Sequence, residues 1–566
     1  MATTYTLVIF GIIGLGIAWL YRRLLPTILP NGIPYDHSSA YRPFGDGFAV
    51  KAEGKRTLET SIAMFSQCQK LGSPIVQFLL TSLPGTNPAV VLDDPREVED
   101  ILLRRNREFD RSTLTTELFD KILPTSTIAQ VTTPHLKAQK RLWSDVMSPE
   151  FLRRVVAPNL QMAAKELVEL WKVKSEGDDE PIEVSEDVQC TALDAIWVAV
   201  LGNKIGVVKH LISKARGEKV DEETARVTEL VRFAAEEAGH IVGEGVGSVW
   251  PALTFFFASW KPSFRRFRRV GREEVQKLMS NACERFHRLS EMSTMSTDDE
   301  EHDTCAMDFV LRREIMRAKK EGRPAPDPPN DPTMLDELWL LLLAGHDSTA
   351  NTLGWFVKIM GLHPVAQREL REALVAAFGD NKFPNSTEIL KAEIPLLDAT
   401  IEETNRFSAT AAITSRRAVV DTQILGYHIP KGTDVLMNLR TNKQQFDVDE
   451  SLRSETCRAA QAKRPRGGFD GPSGRDLDKF VPRRWLAQDA TGKEVFDAYS
   501  LPVLNFGGGF RGCFGKRLAY LELRIIITTL VLNFEFLPLP EKLTGMEAYE
   551  EVFRKPRAAH VKLRAL

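Results

Sequence analysis

From Ile62 onward most of the chain repeats its apolar positions at helical spacing, and stretches that alternate with a period of two are few and short. Glu97 to Arg107 is a clear amphipathic helix. Ile75 to Leu80 and Ala89 to Leu92 are strand candidates, and G-Y-H-I-P-K-G, Gly426 to Gly432, reads as a strand with its turn. A long helix starts at Asp331 or Thr333, either of which can cap it, with Pro332 tolerated in the first turn and Asp336 completing a box-like arrangement. Running to about Leu362, it has roughly 30 residues and a length of ~45 Å. Its Leu338 to Leu343 stretch is apolar on every side and must be buried all round. A second apolar helical run covers Leu518 to Leu532, and new helices start at His363-Pro364 and after Pro395. Between these lie weakly periodic stretches: Asp110 to Pro134, expected to be irregular; the acidic Glu291 to Asp303, a surface loop; the Pro-rich Arg323 to Pro332; and a polar surface excursion, Ser451 to Asp476. The pattern predicts a mainly α fold with small β-sheets.

The N-terminus departs from this pattern. Tyr5 to Tyr21 is an uncharged run of 17 residues followed at once by Arg22 and Arg23. A cleaved signal carries its positive charge before the apolar stretch and small residues after it, whereas here the charge follows and Trp19, Leu20 and Tyr21 close the run. The expectation is an uncleaved transmembrane anchor over 1–23 that leaves the rest of the chain in the cytosol. Pro26, Pro30, Pro34 and Pro43 then punctuate a stiff linker, 24–50, and residues 51–566 form one large catalytic body.

Composition narrows the possibilities. Division of 566 residues by ~150 would give three or four domains, but large single-core enzymes break that rule. A hydrophobic content of 43% supports a large core, and a net charge of −2 argues against a nucleic-acid partner. The cysteines, Cys68, Cys190, Cys283, Cys305, Cys457 and Cys513, form no close pairs, so neither a disulfide framework nor a zinc site is expected.

The chemistry concentrates at Phe506 to Gly515, F-G-G-G-F-R-G-C-F-G. Gly507 to Gly509 permit positive φ and carry no Cβ to keep a planar group off the backbone. Cys513 precedes a helix start, where free N–H groups and the helix dipole favour a thiolate, and Arg511 adds a fixed cation. Phe506, Gly509, Arg511, Cys513 and Gly515 fall on the Phe-x-x-Gly-x-Arg-x-Cys-x-Gly pattern, and in this the chain resembles the cytochrome P450 family of haem-thiolate monooxygenases.

The resemblance implies haem b as cofactor, with Cys513 the proximal iron ligand, Phe506 and Gly509 shaping its loop, and Arg511 on a propionate. It puts further propionate contacts at Lys140 or Arg141, within H-L-K-A-Q-K-R-L-W, and at Arg416 or its neighbour Arg417. From the residues alone, that run of cations also fits a solvated face. Glu403 and Arg406, at i, i+3, would join Arg484 of F-V-P-R-R-W in a buried structural cluster. The polar A-G-H-D-S-T in the long apolar helix could be a kink whose hydroxyls bond to the preceding turn. In the family this position is the oxygen-binding groove. Asp347 is then the proton-relay acid and Ser348, or Thr349 in its stead, the alcohol; the family usually has Thr where Ser348 stands. Ala409-Thr410 replaces a frequent Pro-Pro. The Asp110 to Pro134 loop would overlie the haem and touch substrate.

The resemblance further implies a single haem domain that uses dioxygen to oxidise a small lipophilic substrate, in specialised metabolism of a fungal type, at the endoplasmic reticulum membrane. No nicotinamide or flavin fingerprint accompanies the cysteine loop, so NADPH and flavins belong to a separate cytochrome P450 reductase, with cytochrome b5 as a further donor. Two alternatives stay open: a haem-thiolate isomerase or dehydratase that does not use dioxygen, against which Asp347 and Ser348 argue, and a non-catalytic membrane-anchored haem sensor, which would consume no reductant.

Overall fold

A computed structural model describes residues 2–80, 87–176, 180–219, 222–246, 248, 251–292, 303–324, 326–443, 445–464 and 468–566. Helices dominate, as the period of the apolar positions requires. They include α1 (Ala2–Leu24), α2 (Pro95–Leu103), α3 (Pro134–Leu142), α4 (Ser185–Leu201), α5 (Pro332–Leu362), α6 (Pro395–Ser408), α7 (Glu455–Ala462) and α8 (Lys516–Asn533). The largest sheet has five strands, β1 (Ile75–Phe78), β2 (Ala89–Leu92), β3 (Phe109–Arg111), β4 (Ile413–Ala418) and β5 (Asp434–Asn438), in the order β1-β2-β5-β4-β3. Only the β2–β5 pair is parallel within this sheet; the β3–β4 register sets Arg111 opposite Arg416.

The main core gathers around α5 and α8. Trp355, Phe356, Ile359 and Met360 of α5 are buried, as are Ile525 to Leu532 of α8. Asp331 caps α5 by accepting from the Thr333 amide, as expected. Asp336 takes no part in a capping box: its carboxylate accepts from the Thr125 amide and hydroxyl, which ties the 110–134 segment to α5. That segment is not irregular throughout, since it holds β3 and a helix from Thr113 to Asp120. The expected acidic loop lies mostly outside the described residues.

Two further expectations are corrected. The apolar N-terminal run is helical within α1, but among the described residues no helix is long and apolar enough to cross a membrane. The uncharged run falls short of the ~20 residues a bilayer core takes, and Gly11, Gly14 and Gly16 thin its apolar surface. The 451–476 segment is not a loose surface excursion either. It contains α7, and Arg453, Cys457 and Ser473 are buried. The Pro-rich stretch after α1 lies on the body: Leu29 and Ile33 are buried, and the Gln77 side chain donates to both of their carbonyls.

Candidate active site

Phe506 to Gly515 forms a tight loop in front of α8. Gly507 and Gly509 have φ of +60° and +61°, which only glycine takes without strain. Gly508 is extended, and close approach accounts for its lack of a side chain: a Cβ there would stand 2.6 Å from Leu103 Cδ2. A Cβ on Gly509 would stand 2.6 Å from the Leu102 carbonyl oxygen. The glycines therefore admit the end of α2 as well as a planar group. The Cys513 amide donates to the Phe506 carbonyl at 2.7 Å, closing the loop.

Cys513 opens into a cavity of about 290 Å³. Ala344, Gly345 and Ser348 of α5 line it, with Ile196 and Val200 of α4, Leu518 of α8, and Trp143, Met147 and Phe151 from the segment after α3. Burial pushes the Cys513 thiol up, against the Gly515 amide and the Lys516 and Lys140 ammoniums, which pull it down. The helix-start argument for a thiolate is thus not sufficient in the protein alone, and an anionic sulfur there needs a cation beside it.

At the cavity's edge stands a cluster of cations. Arg111, Arg511 and Lys140 line it, and Arg416 adjoins Arg111 across the β3–β4 pair. Lys140 donates to the Phe510 carbonyl at 2.6 Å and lies over that ring. Arg511 reaches Asp110 at 3.3 Å and Thr132 at 3.0 Å. Burial and neighbouring guanidiniums push Arg111 down to about 9; burial, then Arg511, pushes Arg416 down to about 10. Arg111 Nε and Arg511 Nη2 are buried and have no hydrogen-bond partner. Two carboxylates, Asp110 beside Arg511 and Glu337 acting on Lys140, face these four cations, so the cluster keeps an excess of positive charge and is built for added anions.

The polar stretch of α5 divides between two faces. Ser348 lies on the cavity wall and donates to the Ala344 carbonyl at 3.0 Å. Thr349 also lines the cavity, and its hydroxyl donates to Glu522 at 2.9 Å. Asp347 does not face the cavity: it accepts from Asn351 and lines a separate polar cavity of about 50 Å³ with His346, Glu551 and Lys555.

Below the loop, Glu403 is fully buried between two arginines. Arg406 makes two contacts with it, each 2.8 Å, and Arg484 donates at 3.0 Å. The Trp485 indole and the Val481 amide complete its shell. The two guanidiniums pull this carboxyl below its usual range against the desolvation that would raise it.

The family model for cytochrome P450 matches residues 55–445 and 476–563. The chain belongs to the cytochrome P450 family. It is 31% identical to the cytochrome P450 monooxygenase TRI13 of Fusarium sporotrichioides, over 96% of both chains. It is 32% identical to the monooxygenase GME11363 of Pestalotiopsis microspora, over 97% of this chain and 96% of the relative. The monooxygenase xilC of Penicillium crustosum is 30% identical over 97% of this chain and 94% of its own.

A cytochrome P450 implies haem, and the residues present fit one. A sulfur that needs a cation opens into an apolar cavity, and guanidinium nitrogens without partners stand at its edge, as two propionates would require. Among the expected cations, Lys140 and Arg511 line the cavity and Arg416 stands beside Arg111 on the paired strand. Arg141 lines a different groove with Arg313 and Arg317, and Arg417 is occupied by Asp434 at 2.8 Å. Sequence reasoning missed Arg111, Glu522 and Trp485. Arg111 lies in the Asp110 to Pro134 stretch, and its place beside Arg416 appears only when β3 and β4 pair. Ala409 has a φ of +44°, which a proline cannot adopt, so its place in the pattern's Pro-Pro position has a backbone reason.

Proposed function

We propose that this cytochrome P450 monooxygenase inserts one oxygen atom from dioxygen into a small lipophilic substrate of fungal specialised metabolism. Electrons come from a separate NADPH-dependent flavoprotein reductase, with cytochrome b5 as a second donor. The observation that carries the reading is the placement of Cys513 and the α5 hydroxyls on the walls of one apolar cavity edged by unsatisfied cations. When bound, haem supplies the activation of dioxygen and the oxygen transfer. Cys513 would hold it by its sulfur, and Arg111, Arg416, Arg511 and Lys140 would bind its carboxylates. Ser348 holds a proton at its Oγ on the cavity wall, and the Asp347 carboxyl group stands within the polar cavity behind α5. The pair can therefore pass protons around the helix from outside the apolar site, which keeps bulk water away from the reacting face. Support for a lipophilic guest comes from the apolar lining, and support for specialised metabolism from the fungal relatives. The site of action is the endoplasmic reticulum membrane, with the exposed apolar surface of α1 against the bilayer and the body in the cytosol.

The deciding measurement is the carbon monoxide difference spectrum of the reduced protein beside that of Cys513→Ser. A strongly red-shifted Soret band is expected in the wild type and none in the variant. A shorter-wavelength band in the wild type would overturn the thiolate reading.

A further inference from the structure

The cytochrome P450 family match stops at residue 445 and resumes at 476, so the segment between has no counterpart in the family model. Its described residues are closely bonded to α2. The apolar side of this helix, Val98, Ile101 and Leu102, is buried in the core of the five-stranded sheet. Its other positions and its cap carry Asp94, Arg96, Glu97, Glu99 and Asp100, which are buried apart from the half-buried Glu99. Buried carboxylates need partners, and the inserted segment provides them. Arg453 grips Asp94 through two nitrogens at 2.8 and 2.9 Å. Glu450 receives Arg96 at 2.6 and 2.8 Å, and Ser454 and Thr456 donate to Asp100 at 2.6 and 2.8 Å. Arg464 holds Glu99 at 2.5 Å and donates to the Tyr499 carbonyl at 2.7 Å, so one guanidinium ties α2 to the strand of chain that leads into the cysteine loop.

The far end of α2 meets that loop directly. Leu102 and Leu103, with Asn106 just beyond the helix, occupy the space where side chains on Gly508 and Gly509 would be. A helix clamped on one side and wedged against two glycines on the other cannot shift by half an ångström without moving the loop, because packed interiors transmit strain. We infer that the 446–475 insertion is a brace that sets the position of the cysteine loop through α2. Arg453 and Arg464 are its positioning residues; neither touches the cavity.

The inference rests on the cytochrome P450 fold, and its first readout is independent of haem ligation. Amide hydrogen exchange is followed by mass spectrometry on the purified full chain, wild type against Arg464→Met and Arg453→Met. Exchange in the peptides covering 504–515 and 95–106 is expected to rise about tenfold in each variant, while peptides from 332–362 stay unchanged. Arg453→Lys, which keeps a cation against Asp94 and leaves the cap of α2 intact, stays close to the wild-type pattern. Unchanged exchange in 504–515, or an equal rise along the whole chain, would overturn the inference, since the first denies any coupling and the second reduces the brace to general stability. Where Arg453→Met fails to fold, the milder Arg464→Gln carries the same comparison. The reduced carbon monoxide spectrum is the second readout: conversion of the red-shifted band to the shorter-wavelength one is expected to run several-fold faster in Arg464→Met at constant helical circular dichroism. If Cys513→Ser kept the red-shifted band, the thiolate reading would fail while the exchange result still decided the brace.

Discussion

Glu522 is completely buried on α8 with one partner, the Thr349 hydroxyl, and burial pushes its carboxyl up to about 8 from an ordinary 4.5. A carboxyl whose folded pKa is raised contributes its full stability below about pH 4.5 and loses it as pH climbs toward 8. Glu522→Gln keeps the shape and the hydrogen-bond acceptor but does not titrate. Its unfolding free energy should match the wild type near pH 5 and exceed it increasingly up to pH 8, by no more than about 5 kcal/mol. Urea unfolding at several pH values checks this; a gap that stayed constant with pH would mean an ionised Glu522. The residue also shows what single positions conceal. Cys513 was legible because four other fixed positions surround it within ten residues, whereas Glu522 is one acid in an apolar helical run. Asp347 and Ser348 were legible as a pair, yet adjacent helical residues point about 100° apart, which is why one meets the cavity and the other the polar space behind it.

Where α4 and α5 cross, Gly345 faces Ile196. A Cβ on Gly345 would stand 2.7 Å from Ile196 Cγ1 and 2.9 Å from its Cδ1, so the glycine sets how near the two helices lie. Gly345→Ala forces the isoleucine aside or the helices apart, at about 1–3 kcal/mol, less the ~1 kcal/mol that alanine gains in a helix. Adding Ile196→Ala removes the clash, and the double variant should be more stable than the sum of the single effects predicts. Thermal unfolding of the four proteins measures the coupling, and strict additivity would refute the contact. At this scale the sequence was informative about helices and poor about their partners. The start of α5 was visible from Asp331, but Asp336 looked like a capping residue because Thr125, the group it binds, is 211 positions away. The insertion looked like loop for the same reason: Asp94 and Glu99, the carboxylates that Arg453 and Arg464 meet, lie 359 and 365 positions earlier.

For the whole molecule, the open question is what covers α1. Phe10, Leu15 and Trp19 are 67, 74 and 64% exposed, and isoleucines at 9, 12, 13 and 17 are also in the open. The helix is joined to the body near its C-terminal end, where the Phe44 amide donates to the Leu24 carbonyl and the Tyr21 hydroxyl to that of Tyr41. A stable protein does not leave a contiguous apolar surface of this kind in water. The burial needed is large: at ~25 cal/mol per Å², a few hundred Å² of apolar surface is several kcal/mol, comparable to the whole stability of a domain. A bilayer surface meets that need without a span, because Trp19 and Tyr21 suit the interface and Arg22 and Arg23 the headgroups. Removal of residues 1–20 leaves both hydrogen bonds to the body in place. The truncated enzyme is therefore expected to keep its unfolding temperature and its red-shifted carbon monoxide band while losing its capacity to float with phosphatidylcholine vesicles on a density gradient. The full chain should float, and should still do so at high salt, since the burial is apolar and screening weakens only the arginine contribution. A full chain that sedimented as a large oligomer in the presence of excess vesicles would show instead that α1 is covered by other copies of itself, and the membrane assignment would fall.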